Sequence, residues 1–416
     1  MAMAAESDIV IIGAGIVGVC AAAFLAEADH SVTVVDRTGV CEETSSGNAG
    51  AFAFSDVLPL AQKGMFAQAP EWLLDPIGPL SIRPSYLPRL LPWLMRFRRA
   101  GAPDRYEAAL AAQASLMKLA EGEWSGLMAR SGTTNMLRED GSLELYESKG
   151  EFLASLPGWE ARARHGIPFR HLEKEELGDY QPGLSDRFVA GTFVPGWKTV
   201  SDPKLLGQAI WAYAERKGAI FTRSDVRSIR PAGDGWRVST GGGEILAARR
   251  IILCAGAWSG MLAKQMGDDV PLDTERGYNT TLPPDAFDLK RQLTFSGHGF
   301  VVTPLLTGIR VGGAVEFGGL RLPPNFARSK AMLEKAKRFL PGLKTGGGRE
   351  WMGYRPSLPD SLPVIGPSPR HSGLFHAFGH GHLGLTQAAA TGRLIRALVS
   401  GEALPIDLSP FRANRF

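Results

Sequence analysis

Three glycines near the N-terminus have a spacing that suits the binding of a dinucleotide. They form the motif Gly13-x-Gly15-x-x-Gly18, which lies between a short apolar run and a helical pattern. The first glycine permits a tight turn, the second lets a pyrophosphate approach the backbone, and the third lets helix and strand pack closely. Asp36 stands where a carboxylate can accept ribose hydroxyls, at the end of the next strand. The pattern predicts a ligand that contains adenosine, and by itself it does not separate NAD from FAD.

Three further motifs follow in a fixed order. Thr44-Ser45-Ser46-Gly47-Asn48-Ala49-Gly50 comes directly after the second predicted strand. Gly353-Tyr354-Arg355-Pro356 precedes a Pro-Asp-Ser-Leu-Pro-Val-Ile-Gly run, and Gly379-His380-Gly381-His382-Leu383-Gly384-Leu385-Thr386 comes last. Together they resemble the D-amino-acid-oxidase superfamily of FAD enzymes over about residues 8–398. Within it they resemble bacterial D-amino-acid dehydrogenases, including those that act on cyclic substrates such as hydroxy-D-proline.

This resemblance implies that the dinucleotide is FAD. We expect it to be held without a covalent bond, because no cysteine follows Cys254 and the 44–50 stretch contains no histidine. The loop 379–382 would direct a helix N-terminus at the flavin pyrimidine, where negative charge develops on reduction. The implied cofactor contacts are Gly13, Gly15, Ile16, Val17, Gly18, Asp36, Arg37, Thr44, Ser45, Ser46, Asn48, Ala49, Gly50, Val226, Ala255, Gly256, Trp258, Gly381, Leu383, Gly384 and Thr386.

Three side chains are the candidates for the substrate site. A guanidinium binds a carboxylate through two parallel hydrogen bonds, and the resemblance assigns this role to Arg355. Tyr278 matches an active-site tyrosine region of the resembled family, and His382 is expected to face the substrate beside the flavin loop. The implied reaction is oxidation of a D-amino acid to the imino acid. Hydride passes from Cα to flavin N5, and the electrons pass on to a quinone or another acceptor.

Other interpretations stay open at this point. An FAD oxidase or dehydrogenase of another amine, sarcosine-like or L-configured, would share every motif. An NAD-dependent dehydrogenase would share the glycine fingerprint, although the 44–50 and 379–386 motifs argue against it. A flavoprotein without enzymatic activity is the third alternative, against which the retained Arg355 and flavin loop argue. The sequence specifies no oligomeric state.

The elements that position these residues alternate in type along the chain. Residues 8–12, 14–28 and 31–35 predict a strand, a helix and a strand, the βαβ unit of a parallel sheet. Further helices are predicted over 106–130, 204–217 and 332–340, and an antiparallel strand pair over 300–304 and 309–313. Residues 58–103 show no clear period, and Pro88 and Pro92 are expected to limit regular helix there. The predicted fold is α/β plus α+β. A Rossmann-like FAD-binding domain (1–58, 199–270 and 351–416) is interleaved with an antiparallel-sheet substrate domain (59–198 and 271–350).

Composition excludes several classes of protein. The 416 residues are 44% hydrophobic and 21% charged, as in ordinary globular chains and unlike disordered ones. The net charge of +4 gives no dense basic surface, so we expect no nucleic-acid partner. The three cysteines lie far apart without CxxC spacing, which argues against a disulfide framework and a zinc site.

Two segments bear on membranes. Residues 9–26 carry no charge, but patterned glycines interrupt them and no Lys or Arg precedes Arg37. A strand–turn–helix and a cytoplasmic protein are therefore expected. A second stretch mixes cationic with apolar side chains and predicts either a cap on the core or a peripheral membrane contact that suits a quinone acceptor. Its members are Trp72, Arg83, Leu87, Arg89, Leu90, Leu91, Trp93, Leu94, Arg96, Phe97, Arg98, Arg99 and Arg105.

Overall fold

The computed structural model describes residues 7–62, 78 and 80–416 of the chain. It begins with the strand Ser7–Ile12, the helix Ile16–Ala26 and the strand Val32–Asp36, so the predicted βαβ unit is confirmed. Gly13 makes the turn with φ of +106°, and a Cβ there would lie 2.4 Å from the carbonyl oxygen of Cys254. A glycine is therefore required where the first strand ends.

The first sheet has a parallel centre. Ile12 lies opposite Val35 on one side and Leu253 on the other, so the carboxyl ends of these strands meet at one edge. On one side, the strand Ile245–Leu253 has two neighbours: its first half pairs with an antiparallel meander of two strands, and its last three residues pair in parallel with Leu374–Phe378, to which one antiparallel strand is added. The opposite edge of the sheet is the parallel strand Ile220–Arg223. Besides the two strands of the βαβ unit, its members are Ile220–Arg223, Val226–Ala232, Gly235–Thr240, Ile245–Leu253, Val364–Pro367 and Leu374–Phe378.

The second sheet is mainly antiparallel. Its strands come from segments of the chain that lie between those of the first sheet. The predicted hairpin over 300–313 is observed as the strands Phe300–Leu305 and Gly308–Phe317. The other members are Leu80–Ile82, Ser142–Tyr146, Arg170–Glu173, Ala190–Val194, Asp273–Leu282, Gln292–Phe295 and Arg349–Ser357. A small third sheet joins Ala51–Phe52, Leu137–Arg138 and Lys198–Val200.

Helices cover the sheets and bury the core. Apolar side chains of the first sheet, the first helix and the last helix share one cluster with the long helix Pro103–Ser131. Trp124 of that long helix donates its indole N–H to the carbonyls of Leu385 and Thr386 at 3.0 Å, which fixes the start of the last helix. The described part of the chain also contains the helices Leu87–Ala100, Lys149–Arg164, Leu177–Tyr180, Pro203–Arg216, Ser259–Gln265, Ala327–Phe339 and Gly384–Ser400.

One segment is more regular than the sequence predicts. Leu87–Ala100 is a helix although Pro88 and Pro92 interrupt its sequence. Pro88 stands in the first turn, where a backbone N–H has no intrahelical partner to lose. Pro92 costs about 3 kcal/mol inside a helix, and the burial of Leu90 and Trp93 offsets that cost. The prolines therefore limit the helix less than the sequence predicts, and Trp72 lies outside the described residues.

The interleaved arrangement places the two sheets in separate sets of chain segments. The strand Arg349–Ser357 pairs with Asp273–Leu282, so residues 351–357 are hydrogen-bonded into the second sheet and not the first. The domain limits in the sequence analysis assigned those seven residues to the other unit, and the limits as a whole remain a prediction. Within the described ranges, no helix combines the length and the apolar character that a membrane span requires.

Candidate active site

A cavity of about 970 Å³ is lined by residues of both sheets and of the loops between them. Its size is at the upper end of ligand pockets, which span about 300–1,000 Å³. The three candidate substrate residues line it, as do the predicted cofactor residues apart from three of them. The fold thus brings together side chains that are separated by more than 350 positions in the sequence.

Gly18, Ser46 and Gly50 are the three that do not line the cavity. A Cβ on Gly18 would lie 2.0 Å from the carbonyl oxygen of Gly13, so this glycine serves helix–strand packing. The hydroxyl of Ser46 donates to the Glu43 carbonyl at 2.7 Å and caps its own turn. Gly50 has φ of +73°, and a Cβ there would lie 2.6 Å from Cδ2 of Leu305, so this glycine serves the turn and its packing. Their positions do not support the direct cofactor contacts that the sequence predicts.

The glycine fingerprint and the second strand form one wall. The side-chain oxygen of Ser45 accepts the N–H of Ile16 at 3.0 Å, which joins the 44–50 loop to the start of the first helix. Asp36 accepts the backbone N–H of Ala14 through one carboxylate oxygen at 2.9 Å and the N–H of Thr38 through the other at 2.8 Å. The carboxylate is therefore held rigidly at the cavity edge, where a hydroxyl of a ribose can still donate to the oxygen that bonds Ala14.

Arg37 and Trp258 stand beside that wall. The guanidinium of Arg37 donates two hydrogen bonds of 2.7 Å to the carboxylate of Glu43 and lies 4.0 Å from the ring centre of Trp258. Hydrogen bonding to Glu43 is the main cause that raises the pKa of Arg37. The ring of Trp258 also packs edge-on against Tyr354 at 5.3 Å. This stack connects the loop after the strand Ile245–Leu253 to the strand that carries Arg355.

The last motif forms a second wall. Gly379 and Gly381 have φ of +87° and +54°, and the N–H of Gly381 donates to the Pro356 carbonyl at 2.8 Å. The hydroxyl of Thr386 accepts the N–H of Ala53 at 3.1 Å and holds the chain that follows the 44–50 loop. Burial lowers the pKa of His380 to about 3, so this side chain is neutral. A hydrogen bond thus joins the loop before the last helix directly to the strand that carries Arg355.

Arg355 is partly exposed in the cavity wall. Its guanidinium donates to the Ala314 carbonyl at 2.8 Å and to the Gly313 carbonyl at 3.3 Å. Gly277 lies under it, since a Cβ there would stand 2.4 Å from Nη2. Burial lowers the pKa of Arg355, and the charge of Glu275 opposes that effect. Among the described residues no carboxylate lies within 4.0 Å of the guanidinium, which leaves N–H groups for an anionic ligand.

Tyr278 is placed differently from the sequence-based prediction. Its side chain belongs to the apolar core under the second sheet and is 1% exposed. The hydroxyl donates to Glu316 at 2.5 Å and accepts the N–H of Asn325 at 3.0 Å. Burial is the first cause that raises the pKa of Tyr278, and the bond to Glu316 adds to it. Because its polar group is engaged away from the cavity, the expected contact between this hydroxyl and a substrate is not supported.

His382 faces the cavity together with Asp56. Its Nε2 lies 3.9 Å from a carboxylate oxygen of Asp56, and Arg162 lies 3.7 Å from the other oxygen. The first separation is too long for a direct hydrogen bond. A single oxygen atom between the two groups could accept from His382 and donate to Asp56. The pair therefore provides a place for a hydroxyl or a water.

Sequence reasoning missed several residues of the site. Arg310 is buried in the strand Gly308–Phe317 and donates to the Ser46 carbonyl at 3.1 Å and to the Asn48 carbonyl. Burial lowers its pKa to about 10. An arginine between two β-branched residues of a predicted buried strand was a usable signal. Asp56 and Trp351 carried no comparable signal, because only the tertiary fold brings them to the cavity.

The polar groups that line the cavity fit a dinucleotide with a polar ring system. Two buried polar atoms of the lining, the indole nitrogen of Trp197 and Oδ1 of Asn279, have no hydrogen-bond partner in the described part of the chain. Buried polar groups are normally paired, so such atoms indicate a ligand. Within residues 7–62, 78 and 80–416, no group of three or more His, Cys, Asp or Glu side chains is arranged to hold a metal ion.

The fold and this cavity define an FAD-dependent oxidoreductase. The chain belongs to the family described as FAD dependent oxidoreductase, whose model matches residues 8–398. A D-amino-acid oxidase from Bradyrhizobium diazoefficiens is 34% identical over 98% of both chains. A D-amino acid dehydrogenase from Sinorhizobium medicae is 31% identical over 98% of this chain and 99% of its own. Glycine oxidase from Geobacillus kaustophilus has the same fold, with a TM-score of 0.76 and 23% identity over 99% of this chain and all of that one. The predicted family, fold class and cofactor are thereby confirmed.

Proposed function

We propose that this protein oxidises a D-amino acid to the corresponding imino acid. The observation that carries the proposal is Arg355, whose guanidinium faces the cavity with no carboxylate within 4.0 Å among the described residues. Its N–H groups that the two carbonyls do not use are free for an anion, and an α-carboxylate in the cavity would accept them. The names of the two curated relatives support an amino acid of D configuration.

The chain holds the substrate by its carboxylate. The guanidinium of Arg355 is fixed by the carbonyls of Gly313 and Ala314, so it loses little freedom on binding. Its remaining N–H groups form the paired hydrogen bonds that a carboxylate accepts. Gly277 leaves the space in which the guanidinium lies flat. This anchoring fixes the carboxylate end of the substrate in the cavity.

The reaction removes one hydride and one proton. Bound FAD supplies the oxidant that takes up the hydride from Cα. The amine gives up its proton, and a C=N double bond forms between Cα and nitrogen. Water then hydrolyses an acyclic imine to keto acid and ammonia, whereas a cyclic amine gives a pyrroline-type product. His382 belongs to the loop 379–382, whose Gly381 N–H donates to the Pro356 carbonyl. His382 and Asp56 are polar side chains in this part of the cavity.

We further propose that a cyclic, hydroxylated substrate of the hydroxy-D-proline type is among those accepted. The pair of His382 and Asp56 supports this, because a ring hydroxyl can bridge the 3.9 Å between them. The proposed electron acceptor is a quinone or another respiratory carrier, and the proposed place of action is the cytoplasm. A sarcosine-like amine or an L-configured amino acid remains the alternative substrate.

Anaerobic flavin reduction tests the proposal. The purified yellow protein is mixed with D-proline, hydroxy-D-proline or D-alanine, with each L enantiomer and with sarcosine, and the flavin absorbance is followed. We expect bleaching by the D compounds alone, and reoxidation in air then separates an oxidase from a dehydrogenase. Bleaching by sarcosine or by L-amino acids only would discard the D assignment. A flavin that no amine reduces would favour a binding protein.

A further inference from the structure

One loop of the cofactor site is bound to the second sheet through three successive carbonyl groups. Nη1 of Arg310 donates to the carbonyl of Ser46 at 3.1 Å and also to the carbonyl of Asn48. Nδ2 of Asn279 donates to the carbonyl between them, that of Gly47, at 3.0 Å. Two side chains that are more than 200 positions away in the sequence thus hold three consecutive peptide groups of this loop.

The two side chains, Arg310 and Asn279, form what we call the carbonyl clamp. They stand on adjacent strands, where Asn279 is paired with Gly312 and Arg310 with Thr281. Nε of Arg310 donates to the hydroxyl of Thr281 at 3.0 Å, which fixes the orientation of the guanidinium. Arg310 is 8% exposed and Asn279 is 3% exposed. Because both side chains are already ordered by the sheet, they form a rigid support for the loop.

The loop also packs closely on the face of the sheet that carries the clamp. A Cβ on Gly47 would lie 2.3 Å from Cε3 of Trp351, so a glycine is needed where the backbone crosses this ring. Trp351 is paired with Asn279 on the neighbouring strand. The hydrogen bonds of Ser45 and Thr386 described above hold the two ends of this part of the chain. The carbonyl clamp holds its middle.

This arrangement leaves a donor and an acceptor without partners. In a trans peptide group the N–H points opposite to the carbonyl, so a carbonyl bound to the sheet directs the next N–H away from the sheet. The N–H of Ala49 follows the bound carbonyl of Asn48, and Ala49 lines the cavity. It has no acceptor in the described part of the chain. Oδ1 of Asn279 is also unpaired there, so both groups are available to a ligand.

Arg310 adds a positive charge beneath the loop. Although burial lowers its pKa to about 10, the guanidinium is still protonated at neutral pH. Each acceptor that it meets among the described residues is a neutral oxygen, and its Nη2 group donates to none of them. FAD is an anion through its pyrophosphate, so a cation in the cavity wall favours its binding.

We propose that Arg310 and Asn279 are positioning residues for FAD and act through the loop. They hold its three carbonyls on the sheet and thereby keep the N–H of Ala49 directed at an acceptor atom of the cofactor. The effect is on retention of FAD and not on the chemical step. This inference depends on the cofactor and not on the proposed substrate, so a wrong substrate assignment would leave it intact.

Arg276 provides a matched control. It is a fully buried arginine of the same sheet, and in the described part of the chain it lies outside the lining of the cavity. Its guanidinium donates to four carbonyl groups of one loop, those of Gly318, Gly319, Leu322 and Pro323. Arg276→Met therefore removes the same kind of support from a different loop. It separates a loss of stability from a loss of cofactor.

Release of FAD from the holoenzyme tests the proposal. FAD-loaded protein is diluted at a temperature well below its melting temperature, and the rise in free-flavin fluorescence gives the release rate. We expect release to be about 30-fold faster for Arg310→Met, which loses charged hydrogen bonds, and about fivefold faster for Asn279→Ala, which loses a neutral one. Gly47→Ala, which forces the loop away from Trp351, should release FAD about tenfold faster. Arg276→Met should stay within about twofold of the wild type.

Melting temperatures with and without added FAD give a second readout. The wild type and Arg276→Met should gain equally from FAD, whereas Arg310→Met should gain less. If Arg310→Met does not fold, Arg310→Lys replaces it, because lysine keeps the charge but lacks the planar fork, and about tenfold faster release is expected. Release within twofold of the wild type for the Arg310 variant would overturn the proposal. So would equal acceleration by Arg276→Met, since Arg310 would then stabilise only the fold.

Discussion

The carboxylate-binding role of Arg355 makes a prediction at the scale of one residue. We expect Arg355→Met to lower kcat/KM for D-amino acids by about 100-fold, because a charged hydrogen-bonded pair contributes roughly 1.5–3 kcal/mol. Steady-state kinetics with an artificial acceptor would measure this effect. Arg249→Met is the matched control, since Arg249 is exposed on the far sheet surface. Equal losses in both variants would contradict the assignment.

The space between His382 and Asp56 makes a second prediction. His382→Leu should lower kcat/KM for hydroxy-D-proline by roughly tenfold and change that for D-proline by less than about threefold. The reason is that the substitution removes a hydrogen bond to a hydroxyl that only one of the substrates carries. His165→Leu, in an exposed turn, is the control. An equal loss for both substrates would instead mean that His382 acts on the common part of the substrate.

The residues that sequence analysis found and missed differ in a physical way. Gly13, Gly15 and Asp36 were found because a phosphate site needs particular residue types at fixed spacing along one βαβ unit. Arg355 was found through a motif that resembles a known family. Asp56 and Arg310 were missed because their partners, Arg162 and the Ser46 carbonyl, are distant in sequence. For Tyr278 the position was predicted, but the direction of its hydroxyl was not.

Individual elements were predictable to within a few residues where local signals agreed. Asp202 accepts the N–H groups of Lys204 and Leu205 at 2.8 and 2.9 Å, and the predicted helix 204–217 is observed as Pro203–Arg216. The helix Leu87–Ala100 was missed because its proline signals oppose a helix locally, whereas the burial of Trp93 that offsets them is tertiary. Apart from the hairpin over 300–313, strand pairing in the second sheet was likewise beyond the sequence, since the other neighbouring strands come from distant segments.

A buried hydrogen-bonded pair, His376 and Asp268, joins the strand Leu374–Phe378 to the loop that precedes the strand Asp273–Leu282. His376 Nε2 lies 2.8 Å from a carboxylate oxygen of Asp268, and Ser368 donates to the same oxygen at 2.6 Å. Burial alone would raise the pKa of Asp268, but the bonds from His376 and Ser368 outweigh it and lower the pKa. Stability from this carboxylate is therefore present above the unfolded pKa of about 3.9 and is lost as the pH falls through the folded value.

Asp268→Asn tests this linkage. At pH 7 the variant should unfold at a lower temperature, because removing one member of a buried pair costs about 3–5 kcal/mol. The difference from the wild type should shrink as the pH is lowered below about 4. Differential scanning calorimetry from pH 7 to pH 3 measures it, with Asp269→Asn as the exposed control. A difference that stays constant over this range would show that the carboxylate charge is not responsible.

At the scale of the whole molecule, the cavity should hold FAD without a covalent bond. Burial raises the pKa of Cys41 to about 12 and that of Cys254 further, so neither thiol is a nucleophile at neutral pH. After precipitation in acid, the flavin should appear in the supernatant, and its absorbance there should equal that of the native protein. Flavin that stays in the pellet would contradict this prediction. The apoprotein should also melt at a lower temperature and recover on addition of FAD.

The interleaving of the two sheets has a consequence for biosynthesis. The strand Ser7–Ile12 pairs with Val32–Asp36 early, but its other neighbour is Ile245–Leu253, and the last helix that covers it begins at Gly384. At 5–20 residues per second, a ribosome needs about 12–48 s to pass from residue 12 to residue 253. During this time the glycine fingerprint is exposed on a nascent chain that cannot yet close around a ligand. We therefore expect the chain to capture its cofactor only when synthesis is nearly complete, and we expect a chain that terminates before the last helix to remain unfolded and to be recognised by chaperones and proteases.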